Sequence, residues 1–343
     1  MAVTMNHIEL HYSLRKGDFK LEVDTRIPAA GITGVFGESG SGKTTLLRCI
    51  AGLEASTDGD LRPVHKRRIG YVFQESQLFP HLTVQKNLEY GRRRNPDTHR
   101  SIAEFASMLE VDRLLDRSVS DLSGGEAQRV CIARVLCQEP QLILMDEPLS
   151  ALDARRRSNM LPYLDRLHAE TSVPIIYVSH NIDEICRLSD HLVLLDNGKI
   201  VVEGGLQETL VRIDLPQLSG QNAGAVLEAK QSRYDAEFDL SLFEFSGGEL
   251  WVPGRQDMAT ARLRISAGDI SLSRAPAESS TILNILPAVI EGMAAETAST
   301  QLVRVRLGAS FLVARITRRS LYELKLQVGD NVFAQIKSVT VRY

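Results

Sequence analysis

One run of residues carries more chemical meaning than any other. Gly37-Glu38-Ser39-Gly40-Ser41-Gly42-Lys43-Thr44 fits the pattern G-x-x-x-x-G-K-[ST]. Its glycines let backbone N–H groups converge on phosphate oxygens, and a helix starting where the loop ends adds partial positive charge. In such a loop Lys43 reaches the β- and γ-phosphates and the Thr44 hydroxyl ligates Mg²⁺, with Thr45 next to it at the phosphates. A second run, Leu142-Ile143-Leu144-Met145-Asp146-Glu147, is an apolar stretch ended by two carboxylates. Asp146 at its tip would hold the Mg²⁺, directly or through water, and Glu147 is placed to take a proton from an attacking water.

Both motifs need rigid elements behind them. Gly31–Phe36 reads as a short strand feeding the glycine loop, and Thr44–Leu53 as the helix that leaves it. Leu142–Met145 and Val173–Val178 read as buried strands. Leu192–Leu195 and Lys199–Val202 flank Asn197-Gly198, a hairpin turn signal. Strands alternating with helices predict a mainly parallel sheet covered on both faces. Arg100–Leu115 and Glu126–Gln138 read as helices between the motifs and predict a helical subdomain over about 92–140.

Leu122-Ser123-Gly124-Gly125-Glu126 opens a helix that continues through Ala127-Gln128-Arg129. With this motif added to the two above, the chain resembles the ATP-binding-cassette ATPases, whose signature it is, although Glu126 stands where Gln is usual. The resemblance implies an α/β fold: a P-loop (RecA-like) ATPase domain over residues 1–215 that binds ATP and Mg²⁺. Ser123, Gly124 and Gly125 then form a second anion cradle, which in this family meets the γ-phosphate held by the opposite subunit, so a homodimer is implied. Gln74, after the strand Ile69–Phe73, matches the glutamine that touches Mg²⁺ and the attacking water. Ser150-Ala151-Leu152-Asp153 matches the loop that crosses the dimer interface, and His180 matches the histidine at the γ-phosphate. Tyr12 aligns with the aromatic that stacks on adenine, and equally suits a core position in a strand. The chain departs from the family between Asp60 and Arg67, where a hairpin and loop are trimmed, and at Asn181, where Asp is common.

Composition changes to Pro, Gln, Ser, Gly and Asn over Asp214–Gly224, which reads as a linker; all eight histidines and all four cysteines precede it. Residues 216–278 are expected to form this linker and a β-rich connecting segment. Beyond it, Leu302–Leu307, Phe311–Ile316 and Val332–Val339 alternate with period two, and Gly247-Gly248 and Gly329-Asp330 mark turns. Residues 279–343 resemble a molybdate-binding Mop/TOBE-type domain, a small all-β, OB-like barrel. The resemblance runs through Ser280-Thr281-Ile282-Leu283-Asn284 and the closing stretch Val328–Ser338. It implies an oxyanion site for molybdate or tungstate using Ser280, Thr281, Lys337 and Ser338, since a compact dianion needs a cation and several short donors. Leu283 stands where some relatives have Arg, and a purely structural dimerisation barrel is the other reading.

Basic and acidic residues nearly balance, 40 against 43, for a net charge of -3, which argues against a nucleic-acid partner bound through bulk charge. No apolar stretch approaches the ~18 residues that a membrane-spanning helix needs, and Met1–Asp18 has no charged-then-apolar leader. The cysteines (Cys49, Cys131, Cys137, Cys186) form no Cys-x-x-Cys pair and read as reduced thiols of a cytosolic protein. An ATPase without a span moves solute only through a partner. Gln74–Tyr90, with Leu78-Phe79-Pro80-His81-Leu82-Thr83, resembles the importer surface that receives a permease. The expected function is therefore the ATP-hydrolysing subunit of a molybdate, or tungstate, importer. It would sit peripherally on the cytoplasmic face of the membrane, with a permease as direct partner and an external binding protein as indirect one. The rivals are an importer ATPase for sulfate, ferric iron, sugar or polyamine, and an oxyanion-sensing binding module. A cassette acting on DNA or ribosomes would carry insertions or a second cassette absent from this sequence.

Overall fold

The computed structural model describes residues 6–60, 62–95, 99–256 and 258–342, with Val341 and Arg342 described by backbone alone. Two compact units divide at Gly204 and Gly205. The first holds strands β1 (His7–Lys16), β2 (Phe19–Pro28), β3 (Ile32–Phe36), β4 (Ile69–Val72), β5 (Leu142–Asp146), β6 (Ile175–Ser179), β7 (His191–Asp196) and β8 (Lys199–Gly205) in one sheet, ordered β1-β2-β8-β7-β3-β6-β5-β4. β1 and β2 form an antiparallel hairpin; β3, β4, β5, β6 and β7 pair in parallel. β3, β5 and β6 are buried along their whole lengths, as their unbroken apolar runs require when both sheet faces are covered.

Helices follow the strands. α1 (Lys43–Ala51) packs on β1, β2 and β5 and contributes Leu46, Leu47 and Ile50 to the core. α2 (Val84–Arg92), α3 (Ile102–Met108) and α4 (Gly124–Leu136) pack on one another as the helical subdomain. α5 (Ala154–Glu170) and α6 (Ile182–Leu188) flank β6 in sequence and pack together. The expected helix over Arg100–Leu115 is broken. α3 stops at Met108, Glu110 takes a left-handed φ of 51°, and only one 3-10 turn, Asp112–Leu114, follows. The trimmed segment between Asp60 and Arg67 is tied down by its arginines. Arg62 grips the Asp60 carboxylate through Nε and Nη2 and holds it down at about 2, while the Arg67 guanidinium donates to the carbonyls of Cys49, Ile50 and Asp60, satisfying the end of α1.

The second unit opens with α7 (Leu206–Leu210), and Val211 just beyond it already belongs to the second unit's core. The unit boundary thus falls upstream of the compositional change at Asp214. The segment read as linker is two 3-10 turns, Pro216–Leu218 and Gly220–Asn222. Strands β9 (Gly224–Asp235), β10 (Leu240–Phe245), β11 (Gly248–Pro253), β12 (Thr260–Ser266), β13 (Ile270–Ser273), β14 (Asn284–Ala295), β15 (Thr300–Leu307) and β16 (Ser310–Thr317) follow. Then come α8 (Arg318–Glu323), β17 (Asn331–Ile336) and β18 (Thr340–Arg342). They make two five-stranded sheets, β11-β10-β9-β12-β18 and β13-β17-β14-β15-β16, over one apolar core that includes Phe243, Leu250, Val303 and Leu312. The strand expected over Val332–Val339 ends at Ile336, because the next amide, Lys337 N–H, turns to the Asp269 carbonyl.

The β7–β8 hairpin bears directly on the phosphate loop. Asn197 and Gly198 both have left-handed φ, 47° and 77°, the turn that matches strand twist. Gly198 N–H donates to the Ser41 carbonyl at 2.9 Å, and a Cβ at Gly198 would lie 2.0 Å from the Lys20 carbonyl oxygen. Gly198→Ala should therefore lower stability by about 2 kcal/mol or more, seen as a lower Tm in thermal unfolding; an unchanged Tm would contradict this turn.

Candidate nucleotide site

Four adjacent parallel strands, in the order β3-β6-β5-β4, end at one edge of the first sheet. The register aligns Phe36 with Ser179, Val178 with Asp146, and Met145 with Val72. Each strand therefore delivers its next residues to the same place: Gly37 after β3, His180 after β6, Glu147 after β5 and Gln74 just beyond β4. Open parallel sheets bind ligands at this carboxyl edge.

A cleft of about 370 Å³ lies there, lined by Phe19, Ser39, Gly40, Gly42, Lys43, Thr44, Thr45, Gln74 and Glu147. Gly37 has no room for a side chain: a Cβ would lie 2.2 Å from the Leu195 carbonyl oxygen. Gly42, at φ 103°, leads into α1, whose first residues are Lys43, Thr44 and Thr45. Lys43 is buried, and its Nζ donates to the carbonyls of Gly37 (2.8 Å) and Glu38 (2.7 Å); burial lowers its pKa, opposed by the charges of Glu147 and Asp146. Ser41 is buried in the same loop, with a hydroxyl that has no hydrogen-bond partner among the described residues.

Asp146 is the buried carboxylate of the site. It accepts from Thr44 Oγ1 at 2.9 Å on one oxygen and from Tyr71 Oη at 2.9 Å on the other. Burial pushes its carboxyl above the usual range, and the two hydroxyl donors hold it back. Thr44 and Asp146 thus meet as hard oxygen donors beside Gln74, a set suited to Mg²⁺. Tyr71 was not foreseen as a site residue; it lies on β4 three residues before Gln74, and only the β4–β5 pairing brings it to Asp146.

Glu147 has a left-handed φ of 45°, uncommon outside glycine. Its N–H donates to the Val178 carbonyl, and its own carbonyl accepts from Ser150 N–H and Ser150 Oγ, which holds the conformation from both sides. Its carboxylate meets His180: Nδ1 lies 3.0 Å from Oε2, with the His ring exposed and the carboxylate mostly covered.

Other expected residues lie elsewhere. Ser123 is the N-cap of α4 and forms a capping box with Glu126, whose carboxylate accepts from Ser123 Oγ at 2.6 Å and Ser123 N–H at 2.8 Å; these bonds lower its pKa. Ser123 and Gly124 are exposed, Gly125 is partly so, and none of the three lines the cleft of its own chain. Asp153 is exposed and caps α5 through Arg156 N–H. Tyr12 does not present its ring to the cleft. It is 3% exposed, packs in the core with Ile8 and Leu10 on the same face of β1, and lines a separate cavity of about 300 Å³ with Cys49 and Asp60. Burial raises its phenol to about 12. The aromatic lining the cleft is Phe19, whose Cζ would meet a Cβ placed on Gly42 at 2.7 Å.

In the second unit, Asn284 of β14 pairs with Ile336 of β17. That register brings Ser280 and Thr281, just before β14, and Lys337 and Ser338, just after β17, to one end of the same ladder, with all four exposed. Exposed Leu283 lies there too. Ser280 Oγ accepts from Ile282 N–H, and the Asn284 side chain exchanges two hydrogen bonds with the backbone of Trp251.

Comparison with known proteins shows the family. Residues 21–150 match the ABC transporter family model and residues 280–342 match the TOBE domain model. The chain belongs to the ABC transporter family, as one of its ATP-binding proteins. It is 47% identical to the Molybdenum import ATP-binding protein ModC of Thiobacillus denitrificans, covering 97% of each chain. It is 44% identical to the protein of the same name from Methylococcus capsulatus, covering 98% of this chain and 99% of that one. Among solved structures, cbiO1 of Clostridium perfringens, part of an ABC transporter complex, shares the fold (TM-score 0.52, 24% identity, 62% of this chain and 92% of that one). So does an ATP-binding cassette of an ABC transporter in its ADP conformation (TM-score 0.51, 25% identity, 60% and 93%).

Tyr71→Phe removes one donor from Asp146 and leaves the fold's apolar contacts in place. The Mg²⁺ concentration for half-maximal turnover should rise by about 10-fold, as for other groups that orient a ligand from behind. With that donor gone the carboxyl rises further, so protons compete with metal at higher pH. The acid limb of the pH–rate profile should move upward; a limb that stays in place would remove Tyr71 from this role.

Proposed function

We propose that this chain is the ATP-hydrolysing subunit of a molybdate importer, with tungstate as a second substrate. It works as a homodimer on the cytoplasmic face of the membrane, beneath separate permease subunits fed by an external binding protein. The observation that carries the ATPase reading is the meeting of Thr44 with Asp146 and of His180 with Glu147 at the edge that holds the glycine loop. The likeness to molybdenum import proteins across both units supports the cargo. Among the described residues no helix is long and apolar enough to cross a membrane, so permease subunits carry the solute path.

The loop from Gly37 to Thr44 and the amino end of α1 receive the phosphates, with Lys43 Nζ and the free Ser41 hydroxyl as donors inside the cradle. Thr44, Asp146 and Gln74 would hold Mg²⁺, which would supply positive charge to the phosphate oxygens. Glu147 takes the proton of the attacking water, and His180 holds that carboxylate and reaches toward the γ-phosphate. Because Ser123, Gly124 and Gly125 lie outside the cleft of their own chain, they serve the nucleotide of a second copy, and Asp153 crosses between the two. Closure of the copies on ATP and their release after hydrolysis drive the permease, since ATP favours the closed state. In the second unit Ser280, Thr281, Lys337 and Ser338 form the oxyanion site, their shared end of the β14–β17 ladder supporting the assignment.

Glu147→Gln should abolish turnover, retain ATP and trap a closed dimer on gel filtration; rapid hydrolysis by this variant would overturn the mechanism. Vesicles carrying the subunit with its permease should take up molybdate and tungstate but not sulfate, and sulfate uptake alone would change the cargo. For the second unit, replacing Lys337 and Ser338 together by Ala should remove the heat of molybdate binding in a calorimetric titration and any change in Trp251 fluorescence. Heat that persists would leave those residues structural.

A further inference from the structure

A buried carboxylate stands behind the site with no part in the chemistry above. Glu184, on α6, is 5% exposed. Its Oε2 accepts from Tyr177 Oη at 2.8 Å and from Ser179 Oγ at 2.9 Å, both on β6. Ser179 Oγ in turn accepts from Asn181 N–H at 3.0 Å. The residues on either side of His180 are therefore both held, directly or through one hydroxyl, by this one carboxylate.

The other oxygen of Glu184 faces a cation. Arg157 Nε lies 3.4 Å from Oε1, an ion pair in which that N–H makes no hydrogen bond, and Arg157 Nη2 donates to the Leu152 carbonyl at 3.4 Å. Leu152 belongs to the loop Ser150–Asp153, whose first residue bonds the Glu147 carbonyl and whose last caps α5. One guanidinium thus spans the loop beside the proton acceptor and the carboxylate that fixes the residues flanking His180. The ion pair and the hydrogen bond are both long, so each is sensitive to a small change in where the loop sits.

We infer that Arg157 and Glu184 are a positioning pair: they tie the seating of the Ser150–Asp153 loop to the placement of His180, so that proton transfer at Glu147 waits on that loop. Neither side chain lines the cleft. The loop is the one assigned above to the contact between copies, and the inference rests on that reading. It adds a route by which engagement of the second copy reaches the histidine of the first. A guanidinium suits the role because its spread charge sits beside the carboxylate while a separate N–H donates to the loop carbonyl, whereas an ammonium is one compact charge.

The test uses the full chain with Arg157→Lys, Glu184→Gln and the two combined. Arg157 is about one-third exposed, so its variant tests the pair even where Glu184→Gln fails to fold. Each single change should lower kcat by about 10-fold with the equilibrium affinity for ATP kept within about twofold, and the double variant should be no slower than the slower single one. Losses that multiply in the double variant, a parallel fall in ATP affinity, or unchanged kcat would each overturn the pair. His180→Ala separates the two levels. Loss of turnover there with wild-type rates in the pair variants defeats the pair alone, whereas full turnover in His180→Ala defeats the reading of the site on which it rests.

Discussion

Four parallel strands that end in line set everything else. The ladder hydrogen bonds of β3, β6, β5 and β4 fix which residue leaves each strand and where. A slip of one residue along any of them would turn alternate side chains to the opposite face and carry a motif away from its partners. The tight glycine loop, the Thr44–Asp146 bond and the Glu147–His180 contact are all consequences of that alignment. β3, β5 and β6 can hold it because they are mostly apolar and buried along their whole lengths, while β4, at the sheet edge, is buried at alternate residues.

The charged groups at this edge are restrained by their neighbours. Lys43 is held on backbone carbonyls, Asp146 between two hydroxyls, and Glu147 by its amide, its carbonyl and an imidazole. Such restraint costs stability, through a buried carboxyl kept above its ordinary pKa and a non-glycine residue at positive φ. In return, little reorganisation is left to do when a charged ligand arrives. Ser123 shows a different arrangement: its hydroxyl donates to Glu126 of the same helix, and the residue is exposed.

Much of this could be read before any coordinates. Gly37–Thr44, Asp146-Glu147 and Ser123–Gly125 are local patterns whose meaning lies in their spacing, and Asn197-Gly198 announced its turn for the same reason. What escaped reading depends on contacts between distant residues. Tyr71 and Asp146, or Arg157 and Glu184, are ordinary residues until strand pairing and helix packing join them. Tyr12 and Phe19 are both aromatic residues of the first hairpin, and alternation could not say which faces the cradle; the structure turns Tyr12 inward and leaves Phe19 at the cleft. The helix expected through Arg100–Leu115 failed where Glu110 adopts a left-handed turn that helix propensity does not foresee. Residues 216–278, expected to form a linker and a β-rich segment, contain β9 to β12, four strands of one sheet, whose pairing composition could not give.

The hairpin behind the phosphate loop has one more implication. Gly198 bonds the Ser41 carbonyl, and the strand that starts at the next residue runs without interruption to Gly205, where the second unit begins. The residue that bonds the glycine loop's backbone and the residue that opens the second unit are thus separated by one strand only.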